Sequence, residues 1–219
     1  MKLNNKLSES SKIWLRRQMK DPFTKKAKLE GYRSRAAYKL IELDEKYNIF
    51  SKDSIIIDIG ASPGGWSEII INKSKQKKLN SQIIAIDILQ MQPIEGVDFI
   101  LGNFEDETTK QQILHLLDGK KADIILNDMA PNSTGQQTLD HLRIMNLCEG
   151  VFEYTKEILS DDGVFVSKIF KGSDEQAFIL ELRKYFKSIK YFKPESSRKE
   201  SNEIYIVASG FYKKIISLH

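Results

Sequence analysis

The residues best able to do chemistry in this chain of 219 residues sit in short, well-separated stretches. The first is Gly60-Ala61-Ser62-Pro63-Gly64-Gly65-Trp66, directly after the apolar run "SIIIDI". Gly60-x-Ser62-x-Gly64 fits the elbow that presents a serine nucleophile, and a glycine-rich turn after a strand also fits a loop that admits a dinucleotide or another nucleoside cofactor. The elbow fails on chemistry. The residue after its nucleophile must donate a backbone N–H to an oxyanion, and here that residue is Pro63, which has none. A hydrolase triad in this order also needs a later histidine, and after the fifth strand only His219 remains. Ser62 interrupts the G-x-G-x-x-G spacing of a dinucleotide loop.

Asp87 lies 22 residues after Gly65, where nucleoside-binding α/β folds place an acid to accept both ribose hydroxyls. A ribose therefore belongs in the crevice, while nothing in the spacing demands a pyrophosphate. S-adenosyl-L-methionine meets both conditions. Asp128-Met129-Ala130-Pro131, Lys168 in "VSKIF" and Glu203 at the start of "EIYIV" fall where strands meet the carboxyl edge of such a sheet, the ligand-binding edge. Lys168 is flanked by Val166, Ile169 and Phe170; a buried lysine needs a partner, and alone it reads as an edge residue snorkelling to water.

The elements that would position these groups follow from periodicity. Strands are expected at 54–59, 82–87, 97–101, 122–127, 163–169, 189–194 and 203–212, and helices at 34–47 (capped by Ser34), 65–77, 108–118, 137–159 and 173–187. The last two strands are joined by a loop too short for a crossover helix, so they form an antiparallel pair. The fold class is α/β: an open, mostly parallel seven-stranded sheet with helices on both faces and an antiparallel strand in a C-terminal hairpin.

The net charge of +4 conceals an asymmetry. Residues 12–35 carry nine Lys/Arg (Lys12, Arg16, Arg17, Lys20, Lys25, Lys26, Lys28, Arg33, Arg35) against Asp21 and Glu30. With Trp14, Phe23 and Tyr32 interleaved, this arm suits a phosphate backbone with bases to stack, or else a solvated helical face. It divides the chain into a basic N-terminal RNA-binding extension, 1–33, and a domain spanning 34–219. A mitochondrial leader is also basic, but no cleavage region follows; a cytoplasmic monomer is expected, with mitochondrial targeting as the alternative. No apolar run approaches the ~20 residues of a membrane helix. The single cysteine, Cys148, reads as a packed thiol in a reducing compartment, and His115, His141 and His219 share no metal-ligand spacing, so no metal is expected.

"SRAAYKL", "DIGASPGGWS", "NDMAPN", "VSKIF" and "SSRKESNEIYIVASG", in this order, resemble the RrmJ/FtsJ (RlmE) family of 2′-O-ribose RNA methyltransferases over nearly the whole chain. The resemblance implies a Rossmann-like S-adenosylmethionine-dependent fold and a catalytic set of Lys39, Asp128, Lys168 and Glu203. It places cofactor contacts at Gly64, Trp66, Asp87, Asp128 and Asn103, with Gly60 and Gly65 opening the turn. Asn103 stands where the family usually has aspartate, and still offers a carbonyl oxygen to an adenine amino group. The implied substrate is a uridine of large-subunit ribosomal RNA within the large subunit. Another RNA, such as a tRNA or a cap, or a non-catalytic role in ribosome assembly, are the alternatives.

Overall fold

Isoleucine-rich runs become the central strands because both of their faces are covered. In the computed structural model, which describes residues 21–131, 136–172, 175–198 and 201–213, the strands are β1 (Ile55–Ile59), β2 (Gln82–Asp87), β3 (Val97–Leu101), β4 (Ala122–Asn127), β5 (Leu159–Phe170), β6 (Phe186–Phe192) and β7 (Glu203–Phe211). They form one sheet in the order β3-β2-β1-β4-β5-β7-β6. All neighbours are parallel except that β7 runs antiparallel to both β5 and β6. The expected fold class and hairpin are therefore observed.

The helices are α1 (Pro22–Glu30), α2 (Ala36–Tyr47), α3 (Gly65–Lys77), α4 (Glu107–Leu117), α5 (Gln137–Ile158) and α6 (Glu175–Leu182). Period-two alternation divides each strand between two cores. Ile57, Ile84, Ile125, Phe165 and Ile206 pack with α4, α5 and α6, while Ile56, Ile83, Ile124, Val166 and Tyr205 pack under α2 and α3.

Several expected boundaries move. Helix α1 was not anticipated, although Asp21 caps it by accepting from Phe23 N and Thr24 N, Pro22 opens it and Gly31 closes it at φ 81°. Ser34 does not cap α2: Arg35 holds that position without a side-chain bond, and Ser34 Oγ, with no partner among the described residues, is pressed against the site where Gly65 lacks a Cβ. Helix α6 stops at Leu182, and β6 starts at Phe186, because that ring is drawn into an aromatic cluster with Phe152, Phe165 and Phe211. Residues 173–174, expected in this helix, and 1–20 of the basic arm lie outside the described residues.

Candidate active site

Strand direction brings the polar groups together. β1, β2, β4 and β5 end, and β7 begins, at one edge of the sheet, so Asp87, Asp128, Lys168 and Glu203 share it. Lys168 and Tyr205 are direct register partners, and Glu203 lies two residues before Tyr205 on the same face. Helix α2 covers that face and supplies Lys39 from its first turns.

The four residues of the expected catalytic set converge. Lys168 Nζ donates to Asp128 Oδ1 at 2.9 Å and also to the Asp128 main-chain carbonyl. Lys39 Nζ is 2.8 Å from Glu203 Oε1 and 4.0 Å from Asp128 Oδ1. Both lysines are buried, Lys168 at 4% exposure and Lys39 at 9%, and the two carboxylates balance them. Tyr205 joins the set: its hydroxyl donates to Asp128 Oδ1 at 2.6 Å and accepts from Lys39 Nζ at 3.0 Å. Ser197 Oγ donates to Glu203 Oε1 at 2.8 Å.

Burial alone would raise the Asp128 pKa, but the charges of Lys168 and then Lys39, with hydrogen bonds from Tyr205 and Lys168, outweigh it and hold the carboxyl below its usual range. In Glu203 burial is likewise outweighed by Lys39 and Lys168. The Tyr205 phenol is pushed well above its ordinary value by burial, then by Asp128 and Glu203, so it stays protonated as a donor.

Beneath the lysine, Asn127 Nδ2 donates to Ser167 Oγ at 2.9 Å, and Asn127 Oδ1 accepts from Met129 N at 3.1 Å. Cys148 Sγ donates to the Lys168 carbonyl at 2.9 Å. The thiol is buried, as expected, and burial pushes its pKa up to about 11. Among the described residues, no three His, Cys, Asp or Glu side chains gather as a metal cluster, and no helix is long and apolar enough to cross a membrane.

A cavity of about 490 Å³ opens beside this cluster, a size typical of small-ligand sites. Gly60, Asp87, Asn103 and Asp128 line it, together with the apolar Ile88, Leu89, Phe104 and Met129. Asp87 is locked in place by Ser62 N on Oδ2 and Leu89 N on Oδ1, both at 2.8 Å. A carboxylate has about four lone-pair sites, so these bonds leave acceptors for two ribose hydroxyls. Ile88 and Leu89 are 69% and 63% exposed, apolar surface that a flat base would cover. Asn103 Oδ1 accepts from Glu105 N at 3.2 Å, which leaves its amide N–H pair and one lone pair for a ligand.

Gly64, Gly65 and Trp66 lie beside the residues that line the cavity, and protein atoms occupy the space that a side chain at either glycine would need. At Gly64 (φ 103°) an added Cβ would meet Ile94 at 2.9 Å and Arg33 at 3.1 Å; at Gly65 it would collide with Ser34. Trp66 is buried, donating Nε1 to the Ala36 carbonyl at 2.8 Å and packing against Tyr205. Gly60 (φ 80°) does line the cavity, and a Cβ added there would stand 2.9 Å from the Met129 backbone, so the close approach of that chain requires glycine. The turn packs the sheet edge closely against α2 and the loop after β2.

The basic arm also divides. Arg33 and Arg35 face inward: Arg33 donates to the Gln92 and Pro93 carbonyls, and Arg35 pairs with Asp21 and donates to the Ser196 carbonyl. Lys25, Lys26 and Lys28 remain exposed on α1. Sequence reading missed Tyr205, Ser197, Asn127 and Arg33 as members of this site. Only Tyr205 carried a signal, its two-residue spacing from Glu203.

The profile of FtsJ-like methyltransferases matches residues 32–211, which include Lys39, Asp87, Asp128, Lys168 and Glu203. This chain belongs to the FtsJ-like methyltransferase family. It is an RNA methyltransferase, and the methyl donor of the family is S-adenosyl-L-methionine. The chain is 47% identical over 210 residues to the ribosomal RNA large subunit methyltransferase E of Rickettsia akari, covering 95% of this chain and 92% of the relative. It is 46% identical over 201 residues to the protein of the same name from Rickettsia typhi, covering 91% and 88%. A Plasmodium falciparum protein assigned as a ribosomal RNA methyltransferase superposes with a TM-score of 0.75 at 35% identity, over 82% of this chain and 98% of that one. The Asp87 acceptors, the exposed apolar rim and the cavity volume are compatible with the donor's ribose and base.

Proposed function

We propose that this FtsJ-like methyltransferase methylates the ribose 2′-hydroxyl of a uridine in large-subunit ribosomal RNA, in the cytoplasm and within the large ribosomal subunit, as a monomer. The observation that carries the proposal is the double position of Asp128: it lines the cavity and also holds Lys168. Methyl donor and base would thus meet across one residue. The names of the Rickettsia relatives support ribosomal RNA as the substrate.

S-adenosyl-L-methionine, when bound, supplies a methyl group activated by a sulfonium. Asp87 would hold its ribose hydroxyls, Asn103 its base, and Ile88 and Leu89 would cover the ring. Lys168 Nζ would take the proton of the ribose hydroxyl. An ammonium has no lone pair, so Lys168 first gives a proton to solvent; the neutral amine keeps two N–H groups, for which Asp128 offers acceptors in its carbonyl and Oδ1, and its lone pair is turned away from Asp128. Lys39, held by Glu203 and Tyr205, would stabilise the developing oxyanion. Asp128 and Glu203 position the two lysines. The exposed lysines of α1 and the basic residues before it would hold the RNA backbone, with the extension spanning 1–33.

The test is methyl incorporation from labelled donor into purified large subunits, free ribosomal RNA and tRNA. Label confined to a uridine ribose of the large subunit is expected. Label in tRNA, or on a base, would overturn the proposal.

A further inference from the structure

Arg33 belongs to the basic arm, where charge alone marks it as a phosphate contact, yet its guanidinium is already engaged. One nitrogen donates to the Gln92 carbonyl at 2.5 Å and the other to the Pro93 carbonyl at 2.8 Å. Its backbone N–H is fixed to Glu68 Oε2, in the first turn of α3, at 3.0 Å. The two carbonyls lie in the segment between β2 and β3. The same segment begins with Ile88 and Leu89 of the cavity wall, and Leu89 N is one of the two donors that fix Asp87. Met91 in this segment is buried against Ala61 and Ala85, with Ile94 beside it.

The Arg33 stem is as constrained as its head. Gly64 lacks the Cβ that would stand 3.1 Å from Arg33 Cδ, 2.9 Å from Ile94 Cδ1 and 3.3 Å from Met91 Sδ. The arginine, the cavity segment and the glycine turn therefore meet at one point. A planar fork reaches the two consecutive carbonyls from two separate nitrogens in a fixed geometry, whereas an ammonium would have to reach both from one nitrogen on a flexible stem.

We propose that Arg33 is a positioning residue for the methyl donor: its fork fixes the segment from Ile88 to Ile94 so that Leu89, Ile88 and Asp87 present a formed wall to the ligand. This rests on the reading of the cavity as the donor's site. By spanning from the end of α1 to that wall, Arg33 also makes the RNA-facing element part of the cofactor site.

The test uses the full chain with S-adenosyl-L-homocysteine as calorimetric probe, in the absence of RNA. Arg33→Met keeps an apolar stem and removes the fork; Arg33→Lys keeps the charge and removes the fork. Both should weaken binding by about fivefold or more. The KM for the donor should rise while kcat at saturating donor stays within about twofold, a split that a mere loss of folded protein would not produce. Hydrogen exchange at residues 88–94 should quicken, while β1 and β4 amides keep their protection. Affinity for RNA without donor should be unchanged in Arg33→Lys. Asp87→Ala is the control: if it leaves probe binding intact, the cavity reading itself fails. If Asp87→Ala weakens binding while Arg33→Met and Arg33→Lys do not, the cavity stands and the role given to Arg33 is overturned. Full donor affinity in Arg33→Lys with weakened RNA binding in Arg33→Met would make Arg33 a phosphate contact instead.

Discussion

Lys168 and Tyr205 face each other across β5 and β7, and both donate to the same oxygen, Oδ1 of Asp128, at 2.9 and 2.6 Å. The tyrosine thus helps the lysine keep that carboxylate ionised. Tyr205→Phe removes one charged hydrogen bond, worth about 1.5–3 kcal/mol. The stability contributed by Asp128, present above its unfolded pKa of ~3.9 and lost as pH falls through the lower folded value, should therefore fade at a higher pH in the variant. An acid-unfolding profile superimposable on that of the unsubstituted protein would show that Tyr205 does not act through Asp128.

Asp58 lies under the turn, fully buried, with Oδ2 accepting from Ser67 Oγ at 2.6 Å and Oδ1 without a partner among the described residues. Burial pushes its pKa up to about 7, with Asp128 and Asp87 adding to the rise and Ser67 opposing it. Between the unfolded value of ~3.9 and about 7 the folded chain keeps a proton that the unfolded chain has released, so stability falls as pH rises through that window. Asp58→Asn removes this dependence. Denaturant midpoints from pH 4 to 8 should show the variant gaining on the unsubstituted protein up to about pH 7 and levelling beyond it. Parallel curves would contradict the buried, protonated state.

Truncation of the arm should be placed by structure rather than by charge. Asp21 caps α1 and pairs with both Arg35 and Arg198, so a cut beyond it opens the loop that carries Ser197. Removing residues 1–20 takes away Lys2, Lys6, Lys12, Arg16, Arg17 and Lys20 and keeps Asp21, Arg35 and Arg198. RNA affinity should fall and its dependence on log salt flatten, by a slope of about 0.7 to 0.9 per lost phosphate contact, with donor affinity intact. A salt slope unaltered by the truncation would favour a solvated face.

For Asp87→Ala, loss of charge-assisted hydrogen bonds of ~1.5–3 kcal/mol each should weaken donor binding by about tenfold or more. Calorimetry is the direct check, and an unchanged dissociation constant would remove Asp87 from the donor site.

The sheet was legible because doubly covered strands read as unbroken apolar runs: "IIIDI" and "ADIILN" have no solvent face to alternate with. The start of β6 was not, since Phe186 follows a helical pattern and is taken into the strand by aromatic partners distant in sequence. In the site, Asp87, Asp128, Lys168 and Glu203 were legible as residues at strand ends on one edge. Lys39 came only through family resemblance, because nothing in "AAYKLIEL" tells a lysine over the sheet edge from one in solvent. Arg33 was misread for a related reason: composition counts its charge, but its partners are the carbonyls of Gln92 and Pro93, some sixty positions away. Carbonyls leave no mark in a sequence pattern. Gly64 and Gly65 mark sites of close approach, and Arg33, Ile94 and Ser34 stand against the space where their side chains would be.

The central claim is that Lys168 takes the proton from the ribose hydroxyl. Its most direct test is the single-turnover rate of methyl transfer from labelled donor to large ribosomal subunits by Lys168→Ala, at saturating donor and RNA. General-base catalysis contributes about 10²–10⁴-fold, so a fall of that size is predicted, with donor and RNA dissociation constants changed by no more than severalfold. A rate within tenfold of that of the unsubstituted protein would contradict it.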